Sequence, residues 1–303
     1  MRVEVTVPPG RLLSSPQSVP SGMESETGSG RSNICSNNPS KPLTTLGVNP
    51  SDASTVEPMS GSPGASVPIT PALVTLHVWG VPTGQVPAAM TRVARDRLAL
   101  RGYPGLTFAK LLGTGNGHTF APQDADPHHW ALLTCWDAPH AAETLEHSRV
   151  VRRWDAAANE RVRVTMTPLV SKGQWSGRQP FGSKQRAVQN PDPGELVAGI
   201  TRARIRWRQL PAFWKTVPSV VSPLPTQPGL IWSLGIGEAP IGLQGTFSLW
   251  RDVEAMHQFA HDTPGHREAI QQTRRTGWYS EELFARLRVV DVNGTFNGMP
   301  MMS

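Results

Sequence analysis

Gly173-Gln174-Trp175-Ser176-Gly177 and Gly294-Thr295-Phe296-Asn297-Gly298 are two copies of one motif, Gly-x-aromatic-x-Gly, set 121 residues apart. Upstream of each copy the same marks return in the same order. A Trp stands just before an acidic residue, as Trp136-Asp137 and as Trp250-Arg251-Asp252. Before that comes Leu-Gly-x-Gly, at Leu112 to Gly115 and at Leu234 to Gly237. A strand ending in Trp and followed by Pro opens each set, Trp79 to Pro82 and Trp207 to Pro211. Even a histidine recurs eleven residues after the third mark, as His147 and His261. Four marks in register point to a duplicated unit.

Each unit reads β-α-β-β-α-β. In the first, Val74, Leu76 and Val78 alternate with Thr75, His77 and Trp79, a strand period. Val86, Met90, Val93, Ala94 and Leu98 give a helical stripe with Pro87 in its first turn. Residues 106–112 and 130–136 predict the middle strands, 138–159 a helix, and 161–170 the closing strand. The second unit predicts strands at 196–207, 230–236, 245–250 and 288–292, with helices at 211–221, 252–260 and 265–275. That order is the ferredoxin-like split βαβ. The expected fold class is α+β: two tandem ferredoxin-like units forming a fused dimeric α/β-barrel, preceded by a disordered tail. The boundaries fall at 1–71 for the tail, 72–177 for the first unit, 178–194 for a polar, Pro-containing linker and 195–298 for the second unit. The tail is rich in Ser, Pro, Gly, Thr and Asn and carries too little apolar surface to offset the entropy of ordering it. Met23 and Met59 leave the start of translation open.

The 303-residue chain has a formal net charge of +6 and 38% hydrophobic residues. This basic balance admits nucleic acid, an anionic membrane surface or an acidic protein, and selects none of them. Two cysteines exclude a disulfide framework and a four-cysteine zinc site; Cys135 lies in an apolar run and reads as a buried thiol. No apolar run approaches the roughly 20 residues that span a bilayer, and no secretory pattern opens the chain, so a cytoplasmic location is expected.

Longer blocks carry a resemblance. They are Gly113-Thr-Gly-Asn-Gly117, Lys172-Gly-Gln-Trp-Ser-Gly-Arg-Gln-Pro-Phe181, Gly235-Ile-Gly-Glu-Ala-Pro240, Gln244-Gly-Thr-Phe-Ser-Leu-Trp250, Gly265-His-Arg-Glu-Ala-Ile270 and Gly277-Trp-Tyr-Ser-Glu-Glu-Leu-Phe-Ala-Arg286. In these blocks the chain resembles the spheroidene monooxygenase family from about residue 72 to its C-terminus. The resemblance implies a dioxygen-dependent enzyme that installs a keto group next to the end group of an acyclic carotenoid such as spheroidene. It also implies haem iron and a reduced ferredoxin as electron donor. The polar tail departs from the family's shorter form.

Dioxygen does not attack an unactivated hydrocarbon unaided, so a metal or flavin must carry the redox step. Gly113, Gly115 and Gly117 follow a strand but precede a polar loop, which disfavours a dinucleotide site. Iron needs an axial ligand, and His266 is the candidate. Asp262 and Thr263 offer caps and Pro264 the first turn of a helix whose N-terminal dipole keeps imidazole neutral. Ile270 and Thr273 share its face, and Ile270 is a candidate haem-edge residue. The second unit is also longer here: Trp250 to Phe296 is 46 residues, Trp136 to Trp175 only 39. A surface histidine starting a helix is the alternative. His261 is the alternative ligand, although His257 and His261, four apart, also read as two solvated helix residues. His128 and His129 open a strand and read as loop-edge residues.

Arg202, Arg204, Arg206 and Arg208 alternate on one strand face and could pair haem propionates or dock an acidic ferredoxin; a solvated face is the bland alternative. Arg274, Arg275 and Arg286 are further propionate candidates. Trp175, Trp278 and Phe296 are candidate walls of a polyene channel, with ordinary core packing as the alternative. Two other functions stay open: another haem enzyme or a cofactor-free oxygenase on the same barrel, and a non-catalytic basic binding protein. No helix-turn-helix or zinc-finger spacing supports nucleic acid as a partner. A lipid-dissolved substrate points to peripheral contact with an anionic membrane.

Overall fold

A computed structural model describes residues 70–116, 124–182, 191–206, 208, 227–238, 243–262 and 279–302. In the first half, strand β1 (Leu73–Gly80) is followed by a single 3-10 turn and helix α1 (Val86–Ala99). Strands β2 (Leu106–Gly115) and β3 (Ala125–Trp136), helices α2 (Pro139–Glu146) and α3 (Arg149–Asp155), and strand β4 (Glu160–Gly173) complete it. The second half gives β5 (Val197–Ile205), β6 (Leu230–Gly237), β7 (Leu243–Trp250), α4 (Val253–Asp262), β8 (Tyr279–Phe296) and the short β9 (Met299–Pro300). The tail, the helix expected at 211–221 and the helix expected at 265–275 lie outside the described residues.

The strands run in the order β4-β1-β3-β2-β6-β7-β5-β8, and β8 pairs back onto β4, closing an eight-stranded barrel of antiparallel neighbours. Within each half the order is the same: fourth, first, third, second. The two seams between halves differ. β4 and β8 pair from Val162–Gly294 to Gly173–Leu283, whereas among the described residues β2 and β6 pair from Gly113–Gly237 to Gly115–Gly235.

Strand alternation sends one set of side chains inward. Val74, Leu76, Val78, Leu133, Val164, Met166, Ile200, Phe247, Leu249, Leu283 and Leu287 form one apolar core inside the barrel. The opposite faces of β1, β2 and β3 carry Trp79, Leu111, Leu132 and Trp136, covered by α1, α2 and α3 through Ala89, Leu145, Val151 and Trp154. A smaller cluster of Val197, Trp250 and Ala255 joins α4 to the second half. Cys135 is buried, and burial pushes its thiol pKa up. Phe181, in the segment read as a linker, is buried in the barrel core.

Three expectations change. The α1 stripe is rotated: Met90 and Leu98 are exposed, while Ala89 and Asp96 are buried. A charge sits on the covered face because Arg153 Nη2 donates to Asp96 Oδ1 at 2.6 Å, so the buried carboxylate keeps an ion partner. The single helix expected at 138–159 is two, since Ser148 caps α3 by accepting from Val151 N. β8 is eighteen residues long rather than the short strand at 288–292, because ladders to β4 and β5 on its two sides carry it through polar sequence.

The duplicated motif recurs in backbone conformation. Ser176 and Gly177 have φ of 55° and 69°, and Asn297 and Gly298 have 52° and 74°. Both pairs are the centres of two-residue hairpins, Trp175 bridging Arg178 and Phe296 bridging Met299, which need positive φ at both positions. The leading glycines also have positive φ, 97° at Gly173 and 106° at Gly294, and they touch the neighbouring strand. A Cβ at Gly294 would lie 1.8 Å from the Arg161 carbonyl oxygen, whereas one at Gly298 would meet nothing. Gly294→Ala should therefore lower stability by about 2 kcal/mol or more, and Gly298→Ala by about 1 kcal/mol, in denaturant titrations of the two variants.

Candidate functional site

β4 and β8 are antiparallel, so the hairpins that follow them lie at opposite ends of the barrel. The first end is built on Trp175, which is buried in the barrel core with its ring edge-on to Phe108. Its indole N–H donates to Glu238 at the end of β6. Lys110 Nζ reaches the other oxygen of Glu238 at 2.5 Å and Ser176 Oγ at 2.7 Å. Arg202, 2% exposed, lies over the Trp175 ring at 5.5 Å and pairs with both Glu238 (3.1 Å) and Glu281. Glu281 in turn accepts from the backbone of Ser176 and Gly177 at 3.0 and 2.7 Å, which fixes the hairpin.

Two cations and two carboxylates thus share one barrel mouth. Burial would raise the pKa of Glu238. The hydrogen bonds from Lys110 and Trp175 and the charges of Lys110 and Arg202 outweigh it and hold the carboxyl below its ordinary range. Burial would likewise raise Glu281, and the hairpin N–H groups with Arg202 hold it low. Both stay ionised near neutrality, so the cluster fixes geometry and supplies no proton there.

The second end holds His129, 7% exposed, between two carboxylates. Its Nδ1 lies 2.6 Å from Asp126 and its Nε2 2.8 Å from Glu160. Burial would lower its pKa, but the two carboxylates prevail and raise it above the ordinary histidine value. Phe296 packs on His129 and on Trp232 at ring distances of 4.6 and 5.2 Å. Glu160 also accepts from Gly298 N, so it holds the second hairpin as Glu281 holds the first. A second buried histidine, His77, pairs with Glu146 at 2.7 Å under α2. Burial lowers the pKa of His77, while Glu146, bonded to His77 and Arg161, is held at about 2.

Of the residues singled out in the sequence, His266, Ile270, Trp278, Arg274 and Arg275 lie outside the described residues. Trp175 and Phe296 stand at opposite barrel ends and both pack on the barrel core. Arg202 points inward and is neutralised by carboxylates; Arg204 and Arg206 are exposed at the same end of β5. Arg204 borders a recess of about 440 Å³ with Ser176, Ser280 and Glu281, and Arg206 Nε donates to the Tyr279 carbonyl at 3.3 Å. Arg286 bonds His257 on α4, and His128 contacts the Val81 carbonyl at 3.1 Å. Among the described residues no cluster of three metal-ligating side chains occurs.

Sequence reading missed Lys110, Asp126, Glu160, Glu238 and Glu281. One signal was available: Glu160 precedes Gly173 by thirteen residues, as Glu281 precedes Gly294. The carboxylates are part of the repeat.

The chain is 35% identical over 217 residues to spheroidene monooxygenase of Rhodobacter capsulatus, covering 71% of this chain and 89% of that protein. The chain belongs to the spheroidene monooxygenase family. It is therefore a monooxygenase, an oxidoreductase. The spheroidene monooxygenase of Cereibacter sphaeroides is 30% identical over 68% of this chain and 63% of its own length; that of Rubrivivax gelatinosus is 31% identical over 65% and 74%. No protein-family model matches the chain. Among solved structures, one of aldoxime dehydratase is 12% identical over 72% of this chain and 81% of that one, with a TM-score of 0.49.

Replacing Arg202 by Met leaves Glu281 with backbone donors alone and Glu238 with Lys110 as its cation beside a buried indole, and should cost about 3–5 kcal/mol at pH 7, while exposed Arg204→Met should change stability by only about 0.5 kcal/mol. The depressed pKa values of Glu238 and Glu281 contribute stability that is present above their unfolded values of about 4.3 and is lost as pH falls through the folded ones. The difference between wild type and Arg202→Met, read by denaturant titration at several pH values, should accordingly narrow toward pH 3.

Proposed function

We propose that the protein oxidises an acyclic carotenoid such as spheroidene, placing a keto group next to its end group. The observation that carries this reading is the 35% identity to a spheroidene monooxygenase through 89% of that protein's length. The first oxidation balances as R–CH2–R′ + O2 + 2e⁻ + 2H⁺ → R–CH(OH)–R′ + H2O. One oxygen atom enters the C–H bond and the other leaves as water. A second turn at the same carbon gives a geminal diol, which loses water to the ketone. The equation requires two electrons from outside at each turn, and a reduced ferredoxin is the proposed donor.

Haem is the proposed redox group; its iron, when bound, supplies dioxygen activation. The described residues fit it in part. Arg204 and Arg206 present exposed guanidinium groups to an anionic edge, whereas a propionate at Arg202 would meet Glu238 and Glu281 already in place. His266 would hold the haem iron, Ile270 would pack against the haem and Trp278 would contact the polyene; His261 is the alternative ligand. The role of the charged barrel mouth is to hold the Trp175 hairpin, and with it the surface carrying Arg204, in one geometry.

The halves' shared strand order and matching hairpins support tandem ferredoxin-like units as the origin of the barrel. No described helix is long and apolar enough to cross a membrane. Peripheral contact with an anionic bilayer is the proposed route to a lipid-dissolved substrate.

Protein expressed with haem precursor should show a Soret band that is lost or shifted in His266→Ala. A band unchanged in that variant would move the ligand, with His261→Ala as the next test. No band with haem in excess would leave the family reading standing and remove haem from it.

A further inference from the structure

Helix α1 carries an apolar row that the barrel does not use. Its inner side is Ala89 and Asp96, both fully buried, with half-buried Val86 and Val93 beside them. Met90 and Leu98 are 61% and 60% exposed, and Pro87 and Ala94 are exposed with them. At about 100° per residue these four positions fall within about 80° of one another, on the side away from Ala89 and Asp96. Apolar side chains scattered singly over a surface are ordinary. Here they line up over about 17 Å of one helix.

The charge around the row has one sign. Between Pro82 and Gly102 the acidic residue is Asp96, and the cations are Arg92, Arg95, Arg97 and Arg101. Asp96 lies on the inner side, where Arg153 Nη2 and Arg95 Nε meet it at 2.6 and 3.2 Å. Arg92 turns over the Trp154 ring at 5.8 Å and donates to Gln85. Arg95, Arg97 and Arg101 are exposed, and Arg97 also rests on the Leu111 carbonyl at 3.4 Å. By helical period Arg95 stands on one flank of the apolar row and Arg97 on the other, and Arg101 follows the last turn. An acidic protein face would match the arginines and leave the row against charge. An anionic bilayer meets both, because phosphates take the guanidinium groups while the acyl boundary takes the apolar side chains.

We propose that α1 lies in the surface of an anionic phospholipid bilayer, with Met90, Ala94 and Leu98 entering the acyl boundary and Arg95, Arg97 and Arg101 at the phosphates. Two long apolar side chains and three cations make this a weak, reversible attachment. It gives the peripheral bilayer contact a definite face. That the contact delivers substrate rests on the carotenoid reading, whereas the attachment itself does not.

Flotation of the full chain with vesicles of phosphatidylcholine and phosphatidylglycerol tests the attachment without turnover. Binding to the mixed vesicles should weaken about tenfold or more in Met90→Gln/Leu98→Gln. Arg95→Gln/Arg101→Gln should weaken it by a similar factor and remove most of its dependence on salt between about 0.05 and 0.3 M. A Leu98→Cys variant in a Cys35→Ser background, labelled with an environment-sensitive fluorophore, should shift to the blue on these vesicles; Cys135 is buried. Equal affinity in either double variant, or no binding of the wild type, would overturn the proposal. So would α1-dependent binding of polyglutamate with no blue shift on vesicles, since an acidic protein would then be the partner. The side chains replaced in the double variants are exposed, and unchanged circular dichroism checks that these variants fold. Oxidation of detergent-dispersed carotenoid should be the same in wild type and both double variants. Its absence from all three would count against the carotenoid reading and leave the bilayer face standing.

Discussion

Pairing of β4 with β8 is the constraint on which the rest depends. Each half of the chain is a four-stranded sheet whose outer strands are its fourth and its second, and unpaired strand edges leave backbone donors and acceptors to be met elsewhere. The long β4–β8 ladder joins the fourth strands and forces the two inner faces around one apolar core. Among the described residues the second strands meet over three residue pairs.

Closure also explains the charges. A barrel interior filled with Val, Leu, Met and Phe has to end somewhere, and at both ends it ends on a hairpin aromatic beneath ionised groups. Glu281 in the second half holds the first half's hairpin, and Glu160 in the first half holds the second's. The two halves clasp each other reciprocally. The two ends nevertheless differ: one carries Arg202, Lys110 and Glu238, the other His129, Asp126 and Trp232. The cost of burying Arg202 is offset because every charge near it has an opposite partner.

Much of this architecture is legible in sequence because strand and hairpin chemistry are local. Val74, Leu76 and Val78 announce an inward face, and the Ser-Gly and Asn-Gly pairs announce tight hairpins. Side-chain partners across the barrel are not local. Alternation placed Arg202, Arg204 and Arg206 on one face, yet the same period describes an inward face and a solvated one, and only closure decides that Arg202 is inside. The α1 stripe failed for a related reason: Asp96 reads as surface until Arg153, 57 residues later, is brought to it. Glu281 carries no motif beyond its place in the repeat, and Glu238 has no counterpart there, Asn116 standing at its position in the first half. Family membership was readable from the long blocks, whereas the ligand assignment fell on residues outside those described.

The account's central claim is that this barrel puts one atom of dioxygen into an acyclic carotenoid. Incubating the protein with spheroidene, a reducing system and ¹⁸O2, then weighing the product by mass spectrometry before carbonyl exchange with water, tests it most directly. The account predicts a hydroxylated carotenoid and then a ketone, each bearing one ¹⁸O atom at the oxidised carbon, the second label being lost as water from the geminal diol. Unaltered spheroidene under conditions where electrons are supplied, or a product whose new oxygen comes from water, would contradict it.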